Sequence, residues 1–214
     1  MPPRKPPAEP PRAWQRMLSG RRLDLLDPSP LDIEIEDIAH GLARVARWNG
    51  QTSGVYPFSV AQHSILVVRI VELTAREVGA RGRFAALLHD APEYVIGDMI
   101  SPFKAVIGGD YKAVEHRLLA AIHRRFELPA TLPASVTATI KAADRVAAFH
   151  EATRLAGFAQ AEALKFFGQP GLSADGLELE PWPTEEAEKR FLAAFEALRD
   201  AALRESGDRA VPGG

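Results

Sequence analysis

Apolar residues that recur every three to four positions are the feature that most limits how this chain can fold. In one segment the apolar stripe consists of Val60, Val67, Ile70, Val71 and Val78, and Ser59 is placed to cap the helix that the stripe predicts. Similar spacing predicts helices over 37–50, 82–91, 111–126, 133–156 and 184–204. Apart from a possible short hairpin over 17–26, no alternating pattern is long enough for a sheet. The sequence therefore predicts an all-α bundle of about six or more helices.

Length and composition favour one domain with a disordered N-terminus and a flexible C-terminus. The chain has 214 residues, and six of its 17 prolines lie in the first eleven positions. We therefore expect a disordered Pro-rich tail over 1–16, a single domain over 17–205 and a flexible end over 206–214. No apolar run resembles a signal peptide or could span a bilayer, so a cytoplasmic protein with no membrane contact is expected.

Charge and cysteine content narrow the chemistry. The formal net charge is −2, so the protein has no overall basic field with which to hold a polymeric nucleic acid. Cysteine is absent, which excludes thiolate metal sites and a cysteine nucleophile. Any metal ion must therefore be bound by His, Asp or Glu.

Three of the predicted helices carry ionisable residues where their periodicity calls for apolar ones. These residues are His63, the adjacent pair His89 and Asp90, and Asp144. A single histidine on an apolar face is usually a hydrogen-bonded core residue. Burying an unpaired carboxylate costs several kcal/mol, however, so two histidines and two aspartates at core-facing positions need a common partner. A divalent cation supplies that partner and leaves coordination positions open for water and substrate.

The order of these residues along the chain points to one family. His89 follows His63 by 26 positions, and Asp144 follows Asp90 by 54. The surrounding motifs are VAQHS at 60–64, LLHDAPEYVIGD at 87–98, SPFK at 101–104 and AAD at 142–144. Over residues 19–156 the chain resembles the HD-domain metal-dependent phosphohydrolases, in the bacterial and phage branch that contains 5′-deoxynucleotidases. The resemblance implies an HD-domain helical bundle.

The same resemblance implies a set of site residues. It assigns one divalent ion, of Mn, Co, Zn, Ni, Fe or Mg, to the ligands His63, His89, Asp90 and Asp144. It also implies that Glu93 handles the proton of the attacking water. Glu93 shares a helical face with His89 if the helix continues past Pro92.

Further residues are implied to contact the substrate. Asp98 corresponds to a carboxylate that touches substrate and assists catalysis, and Ser101 falls at a substrate-contacting position. Arg47 and Trp48, at the end of the first predicted helix, match a pair that binds phosphate and selects a 2′-deoxy sugar. A guanidinium suits phosphate oxygens, and an indole wall leaves a 2′-hydroxyl without a partner. The ordinary alternative for the pair is a surface arginine beside a core tryptophan.

Two more histidines raise the question of a second metal ion. His116 and His123 are seven positions apart and share one face of a predicted helix. The apolar residues of that helix define a different side, which predicts that both histidines face solvent and hold no metal.

These residues together predict a 5′-nucleotidase that releases phosphate from (deoxy)nucleoside monophosphates, small molecules rather than polymers. Three alternatives stay open: a deoxynucleoside triphosphate triphosphohydrolase, an alarmone hydrolase, and a non-catalytic nucleotide-binding sensor. The alarmone enzymes tend to read HDxxED, whereas Tyr94 follows Glu93 here. A homodimer is possible, because the amphipathic segment 184–204 could face a second subunit.

Overall fold

The computed structural model describes residues 12–100, 103, 106 and 109–209, and this part of the chain is mainly helical. Its eight α-helices are α1 (Ile35–Leu42), α2 (Val60–Thr74), α3 (Gly79–Leu87), α4 (Glu93–Ile96), α5 (Gly109–Arg125), α6 (Ala134–Arg154), α7 (Gln160–Phe167) and α8 (Thr184–Arg209). One two-stranded antiparallel hairpin precedes them. The predicted all-α bundle with a short N-terminal hairpin is confirmed. None of the helices in the described residues is long and apolar enough to cross a bilayer.

The hairpin begins earlier than the sequence predicts. Strand β1 (Trp14–Arg16) pairs with β2 (Arg22–Asp24), so the hairpin includes residues 14–16, which the sequence analysis assigned to the tail. The Trp14 ring lies between the guanidinium groups of Arg12 and Arg22, which are 4.1 and 4.4 Å from its centroid. These cation–π contacts and the backbone pairing order the residues that the tail was expected to contain. The rest of the predicted tail, residues 1–11, lies outside the described residues.

The first helix ends well before residue 50, because the chain turns back on itself. After α1, the Arg47 amide donates to Phe58 O at 2.8 Å and the Val60 amide donates to Val45 O at 3.0 Å. Trp48 and Asn49 have left-handed backbone angles, with φ of 57° and 51°. Arg47 and Trp48 therefore lie in a tight turn beside the start of α2, rather than at the end of a helix.

The second helix matches its predicted start, and the third ends early. The Ser59 Oγ accepts a hydrogen bond from the Gln62 amide at 3.2 Å, which confirms the predicted cap of α2. Helix α3 ends at Leu87, and residues 88–92 form successive tight turns. The helix predicted over 82–91 therefore ends four residues early, and His89 and Glu93 do not share one continuous helix.

Short helix α4 is positioned by a close contact with α1. A Cβ atom at Gly41 of α1 would lie 2.8 Å from the Tyr94 Cβ, so only glycine allows the two backbones to approach this closely. Gly97, with φ of 75°, ends α4 and turns the chain into Asp98. Glu93 and Asp98 are in this way placed at the two ends of one helical turn.

Helix α8 closes the bundle and extends past the predicted boundary. Its buried residues are Ala187, Phe191, Phe195 and Ala202. The Glu205 carboxylate accepts hydrogen bonds from the Ala80 and Arg81 amides at 2.7 and 3.2 Å and so caps the start of α3. Arg81 also donates to Ser206 Oγ at 3.0 Å. These contacts continue the helix through residues 206–209, where the sequence predicted a flexible end. Helix α7 was not predicted.

Candidate metal centre

Four predicted ligands from separate parts of the sequence meet between α2, α3 and α6. His63 lies in the first turn of α2 and is fully buried. His89 and Asp90 lie in the turns between α3 and α4, and Asp144 lies on α6. One donor atom from each of His63, His89 and Asp90 lies within 4.8 Å of the other two. Asp144 Oδ1 joins them at 3.3 Å from His63 Nε2.

Hydrogen bonds define which nitrogen of each imidazole faces this cluster. His89 Nδ1 lies 2.9 Å from Ala86 O, and a carbonyl oxygen only accepts, so Nδ1 carries the proton. His63 Nδ1 lies 2.6 Å from the carboxylate oxygen Glu151 Oε1, which fixes the same tautomer of a neutral His63. Both Nε2 atoms are buried and have no hydrogen-bond partner among the described residues. Each Nε2 therefore faces the cluster and offers its lone pair to a metal ion whenever the imidazole is neutral.

The spacing of the donor atoms fits a metal ion. His63 Nε2 is 3.4 Å from Asp90 Oδ2, and His89 Nε2 is 3.2 Å from the same oxygen. Ligands about 2.1 Å from an ion lie about 3.0 Å apart in octahedral and about 3.4 Å apart in tetrahedral geometry. The two nitrogen and two oxygen donors thus suit a divalent ion of the Mn to Zn series.

The cluster is acidic and open on one side. Burial would raise the pKa of Asp90, but His89 and His63 outweigh burial and hold that pKa well below its usual range. Burial likewise opposes ionisation of Asp144, yet His63 lowers the pKa of this carboxyl as well. Both side chains therefore stay ionised. The Asp144 side chain is 39% exposed, which leaves room for water or substrate to reach the cluster.

Arg47 is the cation at the edge of this cluster. Its Nη1 lies 3.1 Å from Asp98 Oδ2 and 4.0 Å from Asp90 Oδ2, and its Nε lies 3.3 Å from Glu151 Oε2. Burial would lower the pKa of Arg47, but the surrounding carboxylates raise it above its usual value. The guanidinium is therefore permanently charged and held beside the proposed ligands. It is not the surface arginine of the ordinary alternative.

Trp48 is anchored by both parts of its side chain. Its Nε1–H donates to Glu151 Oε2 at 2.9 Å. Its ring packs against Phe158 and Phe167, with centroid distances of 5.5 and 5.9 Å. The residue is half-buried and directly follows Arg47 in the turn.

Of the remaining predicted site residues, two lie in the described part of the chain and one does not. Glu93 is 2% exposed, and its amide donates to Asp90 O at 3.0 Å. Asp98 lies at the other end of α4 with its carboxylate on Arg47. The predicted substrate contact Ser101 lies outside the described residues.

One residue of the site, Glu151, was missed by the sequence analysis. It is fully buried on α6, and its carboxylate contacts His63, Arg47 and Trp48. A signal was present, because Glu151 lies seven positions after Asp144 and so on the same face of the helix. Asp144 and Glu151 therefore both reach the site from the same face of α6, two helical turns apart.

The prediction that both His116 and His123 face solvent is wrong for His123. His123 is 2% exposed, not solvent-facing, and its Nδ1–H donates to Pro129 O at 3.0 Å. His116 is exposed, as predicted. Residue spacing placed His123 on the wrong side because Leu128 and Pro129 fold back over the end of α5.

A cleft of about 370 Å³ beside α8 contains none of the predicted site residues. Its arginines are already engaged, because Arg81 donates to Glu127 O at 2.7 Å and Arg125 donates to Ile33 O at 2.8 Å. These contacts tie neighbouring segments together, and the cleft is not a rival for the metal centre.

Comparison with known proteins shows one relative along most of the chain. The uncharacterized protein RCAP_rcc00048 of Rhodobacter capsulatus is 58% identical over 188 residues, which cover 87% of this chain and 96% of the relative. The uncharacterized protein YfdR of Escherichia coli is 35% identical over 105 residues, about half of each protein at 49% and 53%. No protein-family model matches the chain.

Proposed function

This chain belongs to the family of the Rhodobacter capsulatus protein RCAP_rcc00048, and from the two imidazoles and two aspartates that it brings together we propose that it is a divalent-metal-dependent phosphohydrolase of the HD-domain type. Its proposed substrates are (deoxy)nucleoside 5′-monophosphates, and the products are a nucleoside and inorganic phosphate. The ligands would be His63, His89, Asp90 and Asp144.

The observation that carries the proposal is the pair of buried Nε2 atoms. Neither has a hydrogen-bond partner in the described part of the chain, and both lie within 3.4 Å of Asp90 Oδ2. The hydrogen bonds of His89 Nδ1 to Ala86 O and of His63 Nδ1 to Glu151 Oε1 leave both Nε2 atoms available to a metal ion in the neutral imidazoles. A divalent ion, when bound, supplies Lewis-acid polarisation of the phosphoryl group and lowers the pKa of water.

The residues around the ligands suit the other needs of phosphoryl transfer. Arg47 places a permanent positive charge at the edge of the cluster, where it can neutralise charge that grows on the phosphoryl oxygens. Glu93 is buried and its amide donates to Asp90 O, and its carboxylate is the proposed acceptor of the proton of the attacking water. Asp98 holds the Arg47 guanidinium in place, and Trp48, the next residue along the turn, is proposed to contact the sugar.

A phosphate-release screen tests the proposal. The purified protein is incubated with mono-, di- and triphosphates of deoxy- and ribonucleosides and with Mn²⁺, Co²⁺, Zn²⁺ or Mg²⁺. We expect orthophosphate from monophosphates, released only when a divalent ion is present. Tripolyphosphate from deoxynucleoside triphosphates would support the triphosphohydrolase instead, and tight nucleotide binding without turnover would support the sensor.

Two isosteric variants separate metal binding from proton transfer. Asp144→Asn should lose both the metal ion and turnover, because it removes an anionic ligand. Glu93→Gln should keep the metal ion and lose about 100- to 10,000-fold in kcat, the range for a general acid–base residue. Glu162→Gln, at an exposed position of α7, is the matched control and should behave as wild type. Metal content is measured by elemental analysis of dialysed protein. Full activity in both site variants would refute the proposed mechanism.

A further inference from the structure

Glu151 divides its two carboxylate oxygens between two groups of site residues. Oε1 lies 2.6 Å from Nδ1 of the proposed metal ligand His63. Oε2 accepts hydrogen bonds from Trp48 Nε1 at 2.9 Å and from Arg47 Nε at 3.3 Å. The side chain is completely buried, so the three neighbours replace the water that an ionised carboxylate loses on burial.

The chemistry of these contacts requires a carboxylate. His63 faces one of the two oxygens, and Arg47 and Trp48 donate to the other. An ionised carboxylate accepts on both oxygens, and all three neighbours present N–H groups to it. An amide of the same shape accepts on one side only and donates on the other.

The substrate-side partners of Glu151 belong to a strained turn. Trp48 and Asn49 adopt left-handed backbone angles that non-glycine residues seldom occupy. Residues kept in such angles need surrounding contacts that hold them there. For Trp48 these contacts are the hydrogen bond to Glu151 and the packing of its ring on Phe158 and Phe167.

We propose that Glu151 is a positioning residue that couples the metal half of the site to its substrate half. With Oε1 it keeps the proton of His63 on Nδ1 and so leaves Nε2 as a metal donor. With Oε2 it holds Arg47 and Trp48 in the turn that borders the cluster. This inference rests on the proposed function, since it assigns the two halves their roles.

Glu151→Gln tests the coupling because the new amide cannot serve both halves. If its oxygen faces Trp48 and Arg47, its NH₂ faces His63 Nδ1, which then becomes an acceptor and leaves a proton on Nε2. We expect Zn²⁺ affinity, measured by competition with a chelating dye, to fall about 10- to 100-fold, as for other partners of metal-bound histidines. We also expect KM for a nucleoside monophosphate to rise at saturating Zn²⁺.

Trp48→Phe isolates the substrate-side arm. It removes the Nε1–H donor and keeps an aromatic ring, so KM should rise while Zn²⁺ affinity stays at the wild-type value. Glu162→Gln again controls for the loss of a carboxylate and should change neither quantity. Wild-type Zn²⁺ affinity and wild-type KM in Glu151→Gln would overturn the inference while leaving the proposed function standing.

A measurement on the wild-type protein keeps the inference testable if Glu151→Gln does not fold. In Zn²⁺-loaded protein with ¹⁵N-labelled histidine, we expect His63 to show a proton on Nδ1, shifted downfield by its bond to a carboxylate, and a metal-bound Nε2. A proton on Nε2 of His63 would overturn the inference. Wild-type protein that binds no divalent ion and hydrolyses no nucleotide would refute the proposed function itself, and the inference with it.

Discussion

Arg47→Met removes a positive charge that the fold has buried among carboxylates. The Arg47 side chain is 12% exposed and lies 3.1 Å from the Asp98 carboxylate and 3.3 Å from the Glu151 carboxylate. The Glu151 side chain is completely buried. Methionine has a similar length and no charge, so it preserves volume while leaving both carboxylates without this partner. The substitution therefore tests the charge rather than the packing.

The expected loss of stability can be worked from these contacts. Removing one member of a buried ion pair costs about 3–5 kcal/mol, because the remaining charge stays buried without its partner. In a protein of this size each kcal/mol lowers Tm by about 2–4 °C, so we expect a decrease of about 6–20 °C. Arg44→Met is the matched control, since Arg44 pairs with Glu188 at 2.7 Å but is 43% exposed. That pair contributes about 1 kcal/mol or less.

Thermal unfolding followed by circular dichroism, with a chelator present, measures both variants. The chelator matters because a divalent cation in the cluster would offset part of the lost charge. Arg47→Met that melts no lower than Arg44→Met would show that the buried carboxylates do not depend on Arg47. The description of Arg47 as the charge that balances Glu151 and Asp98 would then be wrong.

Two further predictions concern the fold away from the site. Burial lowers the pKa of His123 below its ordinary value of 6.5, so the unfolded chain binds a proton more readily and stability falls as the pH drops below about 6.5. His123→Gln should therefore lose less stability between pH 7.5 and 5.5 in urea unfolding than wild type or the exposed control His116→Gln, and an equal loss in all three would contradict this account. Phe195 is 1% exposed, and its ring centroid lies 5.2 Å from that of Phe84. Phe195→Ala should therefore lower the free energy of unfolding by about 3–5 kcal/mol. Phe166→Ala, at a 61% exposed position, should cost less than about 0.5 kcal/mol, and similar urea midpoints for the two variants would contradict the packing described here.

The sequence correctly predicted those helices whose ends are set by residues within or next to the helix itself. The cap at Ser59 and the apolar stripe after it predicted α2, and the spacing of α5 and α6 placed the ends of both within two residues. Where an end depends on distant contacts, the prediction was wrong. The first helix stops at Leu42 because residues 45–47 pair with residues 58–60, and α8 continues to Arg209 while Glu205 caps another helix.

The candidate site likewise contains residues that the sequence predicted and one residue that only the structure revealed. His63, His89, Asp90 and Asp144 were found from the sequence because each is an ionisable residue in an otherwise apolar stripe, and such residues need a partner whatever the topology. Glu151 has its partners 88, 103 and 104 positions away, so no short motif contains the contacts that make it important. Periodicity determines which side of a helix is buried. Only the packing of α6 against α2 and the strained turn decides which buried carboxylate receives which donors, because hydrogen bonds depend on positions in space that distant segments supply.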